Sequence, residues 1–133
     1  MGAWGIGALD NDTALDFVDE VTQNFGLKRI ESAFDTAINV NDEYLEAPEA
    51  EECLAAAAIL VRLKNPTESQ QSTDPELSEW LSKAEKPSAE LIKKARQAVL
   101  RVLAAPSELL ELWGESGEFE AWKASVEAVV AQL

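Results

Sequence analysis

The stretch Ser88-Ala-Glu-Leu-Ile-Lys-Lys-Ala-Arg-Gln-Ala-Val-Leu-Arg-Val-Leu103 decides the fold class. Leu91, Ile92, Ala95, Ala98, Val99, Val102 and Leu103 recur at intervals of three and four, the spacing of one face of an α-helix. Lys93, Lys94, Arg96, Gln97 and Arg101 fall on the opposite side, and Pro106 ends the helical run. The same period governs the chain on both sides. Downstream, Ser107 can cap a short helix carrying Leu109, Leu110, Leu112 and Trp113. Gly114 and Gly117 bracket a turn, and a last helix starts near Phe119 with Trp122, Val126, Val129 and Val130 inward.

Upstream, Leu77, Trp80 and Leu81 mark a short helix over residues 76–84. The polar, proline-bounded stretch 65–75 reads as the one clear loop. Before it, Cys53-Leu-Ala-Ala-Ala-Ala-Ile-Leu-Val61 reads as a buried helix that begins near Pro48, with Ala50, Cys53, Leu54, Ala57 and Val61 facing in. Ile30, Ala33, Phe34, Ala37 and Ile38 form another stripe, stopped near Asn39–Asn41. The first helix carries Ala14, Phe17, Val18, Val21 and Phe25, with Asn11 or Asp12 as its cap and Gly26 as its end. Leu27–Ile30 and Ile38–Val40 are the only short strand candidates, and both fit the helical pattern better. The expected fold is all-α: a single compact domain over residues 1–133, with six or seven helices.

Charge is distributed unevenly. The 133 residues contain 25 acids, 11 bases and no histidine, for a net charge of −14. Residues 1–60 carry −11, residues 61–106 carry +2 and residues 107–133 carry −5. Such a surface repels nucleic acid and anionic lipid and attracts basic proteins. No apolar run approaches the roughly 20 residues that span a bilayer, and no leader pattern opens the chain. One cysteine forms no internal disulfide, so the expected compartment is the cytoplasm. Cys53 reads as a small core residue, because Glu51 and Glu52 beside it disfavour a reactive thiolate.

Two chemistries are suggested by the opening residues, and each fails on spacing. Gly5 and Gly7 begin a dinucleotide fingerprint, but Asp10 stands where its third glycine belongs, and no Gly-Lys-Ser/Thr sequence occurs. Asp10, Asn11, Asp12 and Asp16 offer oxygen ligands, yet Ala14, Leu15 and Val21 occupy positions where a calcium loop needs an acid, a glycine and a glutamate. With no histidine, neither triad chemistry nor the usual zinc ligand sets can be assembled. The sequence therefore nominates no catalytic residue, no cofactor-binding residue and no metal ligand.

The segments Gly2-Ala-Trp-Gly-Ile-Gly7, Asn11-Asp-Thr-Ala-Leu-Asp-Phe17, Tyr44-Leu-Glu-Ala47 and Ser107-Glu-Leu-Leu-Glu-Leu-Trp113 together resemble the DUF4259 family, a bacterial domain of unknown function. The resemblance spans essentially the whole chain. Leu9 stands where an aromatic is common, and Phe17 where tryptophan is common; both keep an apolar side chain. It implies a compact helical protein and assigns no activity. Gly2, Trp4, Gly5, Gly7, Asn11 and Trp113 are its signature positions, read as structural: the glycines let Trp4 fold back onto the core while Asn11 starts the first helix.

Asp12, Asp16, Asp19 and Glu20 line the outer side of that helix and are the candidate partner-binding residues. The preferred expectation is a non-enzymatic interaction protein, of the immunity or inhibitor kind, that masks a basic protein partner. Two alternatives stand beside it. One is a small enzyme using carboxylates or a divalent metal. The other is a homo-oligomeric module in which the Trp113–Trp122 region meets a second copy.

Overall fold

The computed structural model describes residues 7–9, 11–40, 42–64 and 75–133. Seven α-helices account for most of them: α1 (Asp12–Glu20), α2 (Gly26–Asn39), α3 (Ala47–Lys64), α4 (Pro75–Lys83), α5 (Ala89–Val102), α6 (Glu108–Gly114) and α7 (Phe119–Gln132). A π-helical turn, Val21–Phe25, joins α1 to α2. Among the described residues no strand forms, and both strand candidates lie in or at the end of α2. The all-α expectation holds. Residues 65–74, most of the expected polar loop, lie outside the described residues, as do Gly2, Trp4, Gly5, Asp10 and Asn41.

The alanine-rich helix forms the axis of the domain. Ten of its residues are buried: the expected Ala50, Cys53, Leu54, Ala57 and Val61, and beyond them Ala55, Ala56, Ile59, Leu60 and Leu63. A helix apolar nearly all round must be surrounded, and α1, α2, α5, α6 and α7 all pack on α3. Its alanines are what allow this crowding. A methyl group leaves room for neighbouring backbones, so Phe17, Phe34 and Trp122 supply the bulk from outside. Burying each such ring contributes on the order of 2–3 kcal/mol.

Asn11 and Ser107 cap their helices as expected, and Ser88 caps a third. The Asn11 carboxamide oxygen accepts from the Ala14 amide at 2.7 Å, Ser88 Oγ from Leu91 at 3.1 Å and Ser107 Oγ from Leu110 at 3.5 Å. Asn11, not Asp12, is the cap of α1. The first helix departs from expectation in its second half. After Glu20 it widens into the π turn, closed by a bond from the Gly26 amide to the Val21 carbonyl. Gly26 adopts φ 54° and ψ −141°, a conformation disfavoured for residues with a Cβ. The break is therefore at the expected glycine, but the helix resumes at once as α2.

The starts of α3 and α6 are pinned together. Leu45 and Ser107 form an isolated parallel bridge, with the Leu45 amide donating to Pro106 and the Glu108 amide to Leu45. The Glu108 carboxylate also accepts from the Ala47 amide at 2.7 Å. Arg101, grouped by sequence with a basic helix face, instead donates to the carbonyls of Glu43, Ala104 and Pro106. It ties the loop before α3 to the turn after α5.

Candidate functional site

Helix starts gather at one end of the domain and bring acids with them. Asn11 begins α1, Leu45 leads into α3 and Ser107 begins α6. Acids suit helix N-termini individually, but here they accumulate. Glu51 on α3 feels both Asp12 from α1 and Glu108 from α6. Burial pushes its carboxyl above the usual range, partly offset by a hydrogen bond with Thr13, and the two acids add to the rise. Tyr44, 47% exposed, stands nearby and donates its hydroxyl to Glu111. Partial desolvation pushes that hydroxyl up, and the charges of Glu111, Glu108 and Glu46 push it further.

The outer side of α1 extends this acidic surface. Asp12, Leu15, Asp16, Asp19 and Glu20 are all exposed. Leu15 lies in the middle of the acids with 42% of its surface open to solvent. Among the described residues no base pairs with Asp12, Asp16 or Asp19. Glu20 differs from the other three: its carboxylate accepts from Arg29 Nε at 2.9 Å. It belongs to a structural network more than to the open face.

Elsewhere acids and bases cancel internally. Lys94 on α5 sits 2.8 Å from Asp35 and 3.0 Å from Glu31, both on α2. The basic helix thus meets the acidic segment of its own fold, at Lys94. Lys93, Arg96 and Leu100 remain exposed on the other side of α5.

A second feature is a cleft of about 290 Å³ between the Gly7–Leu9 segment, α3, α6 and α7. Trp113 and Trp122 stack in its wall, with ring centroids 5.9 Å apart and planes 7° from parallel. Both are nearly buried, at 5% and 2%. The tryptophan surface expected to meet a second copy is therefore turned into the domain itself. On the α3 side, Glu51, Leu54, Ala58 and Arg62 line the cleft at spacings of three and four. Arg62 is half-buried, and burial pulls its guanidinium below its ordinary value. The pair is hard to see in the sequence because the two charges stand on opposite sides of the apolar run Cys53–Val61. Their shared helical phase was the available signal.

Cys53 is fully buried beside this cleft's α3 wall, and burial pushes its thiol far up. Among the described residues no three carboxylates or thiols converge closely enough to hold a metal ion, and no helix is long and apolar enough to cross a membrane.

These features define a small all-helical domain with an acidic helix end and a tryptophan-walled cleft. The family model described as a domain of unknown function, DUF4259, matches residues 2–125, and the chain belongs to that family. No curated protein and no solved structure matches the chain.

Proposed function

We propose that this protein is a non-enzymatic interaction module that binds a basic protein partner through the acidic surface built from α1 and the starts of α3 and α6. One observation carries the reading. Of the three large hydrophobic side chains exposed among the described residues, Leu15 and Tyr44 belong to that acidic surface. An apolar or aromatic centre ringed by charge is the anatomy of a protein interface, where the centre supplies affinity and the rim steers approach. Asp12, Asp16 and Asp19 supply the steering charge, while Glu20 is committed to Arg29. An immunity or inhibitor role, covering a basic active surface, suits a binder of this kind.

Salt dependence tests the reading. Association with the partner slows steeply as ionic strength rises, because screening shortens the reach of exposed charges to about 10 Å near 0.1 M salt. An association rate unchanged between low and high salt contradicts it.

A further inference from the structure

Arg62 is unusual among the cations of this chain. Arg29 holds two carboxylates and Lys94 holds two more, in a protein with 25 acids to choose from. Arg62 is half-buried in the cleft wall, yet among the described residues no acid pairs with it. A partly desolvated charge without a counter-ion is costly. Its planar fork of donors matches a carboxylate in geometry and charge.

Apolar side chains make up most of the remaining lining, with Asn11, Glu51 and Ser125 as its other polar members. Leu54 and Ala58 continue along α3, and Val126, Val129 and Trp122 face them from α7. Glu51 stands eleven residues before Arg62, about 16 Å away at the helical rise. Its charge disfavours an anion at that end and favours one at the other. The volume lies at the low end of ligand pockets, which run from roughly 300 to 1,000 Å³. A fitting occupant has on the order of a dozen non-hydrogen atoms.

We propose that this cleft binds a small monocarboxylate with an apolar body, its carboxylate held by Arg62 and its body lying between α3 and α7. The site differs in chemistry from the acidic partner-binding face, and the two meet only at Asn11 and Glu51, at the end of the cleft away from Arg62. It fills a cleft and neutralises a guanidinium, whereas the partner covers exposed acids.

The probe is 4-phenylbutyrate, titrated into the full chain and followed by thermal stability and calorimetry. Its uncharged amide and acetate serve as matched controls that remove the charge or the body. The expected result is saturable stabilisation by the acid, with both controls at least about tenfold weaker. Arg62→Gln weakens binding at least about tenfold while the unliganded protein melts no lower than the native one, since an unpaired half-buried charge is removed. Ala58→Leu, which narrows the cleft and keeps the guanidinium, also abolishes binding and serves if Arg62→Gln folds poorly. Absence of saturable binding to the native chain, equal binding of acid and amide, or undiminished binding by either folded variant overturns the proposal.

Discussion

Arg29 Nη2 lies 2.8 Å from Glu52 Oε2, fastening α2 to the central helix α3. The same guanidinium reaches Glu20 through Nε and lies 4.7 Å from the centre of the Phe17 ring. Burial opposes its charge, but hydrogen bonds with Glu52 and Glu20 outweigh that and raise its affinity for the proton. Three elements, α1, α2 and α3, therefore meet on one side chain. Arg29→Ala removes the ion pairs, the cation–π contact and the packing of the stem. Its expected cost is about 1–2 kcal/mol, between the values for exposed and fully buried pairs. Glu20→Gln, at the more exposed end, costs less than about 1 kcal/mol. Denaturant unfolding of both variants checks the order.

Two glycines respond to alanine in opposite directions. Gly26 has a positive φ, and a Cβ there meets nothing closer than Trp80 at 4.0 Å, so any cost is conformational and not steric crowding. Gly26→Ala is expected to lose about 1–2 kcal/mol. Gly114 lies in the last position of α6 with nothing within 4 Å of an added Cβ. Gly114→Ala is expected to gain a few tenths of a kcal/mol, up to about 1. Paired chemical denaturation curves read both signs.

Glu51 gives the stability curve a pH signature. Its folded-state pKa is raised above the ordinary 4.5, so the folded protein holds this proton more tightly than the unfolded chain does. Stability from this group is present at low pH and is lost as pH rises through the folded value. Glu51→Gln removes that loss. The variant is expected to melt higher than the native protein near neutral pH, with the difference vanishing below about pH 4.5. Melting curves across that range decide it; a difference that grows on acidification contradicts the assignment.

Cys53 has no accessible surface and a thiol held protonated by burial. A disulfide reagent is therefore expected to modify it only through opening of the fold. Reaction in the native state should be at least about a hundredfold slower than in denaturant. Stabilising or destabilising variants should shift the native rate accordingly.

The fold was legible because nearly every helix announces itself by an apolar stripe between punctuating residues. Leu91 to Val102 on α5 and Ile30 to Ala37 on α2 lie where their spacing puts them. Asn11 and Ser107 cap as their side chains dictate. The π turn at Val21–Phe25 was not legible, because a single widened turn leaves the composition of a helix unchanged. Sites were harder to read. Glu20 and Asp19 are neighbours with the same charge, and only the position of Arg29 on the next helix separates a paired acid from an open one. Tyr44 and Glu111 are 67 positions apart in sequence, and the Leu45–Ser107 bridge is what brings their segments together. Pairing across such a separation leaves no local pattern.

The central claim is that Asp12, Asp16 and Asp19 form the charged rim of a binding face. Affinity capture from the source cell lysate with three baits tests it most directly. One bait is native, one carries Asp12→Asn, Asp16→Asn and Asp19→Asn, and one carries Glu85→Gln, Glu115→Gln and Glu118→Gln, the same charge change on exposed residues elsewhere. The account predicts a basic protein retained by the native and control baits and lost by the α1 variant. Retention of the same proteins by all three, or of none by the native bait, contradicts it.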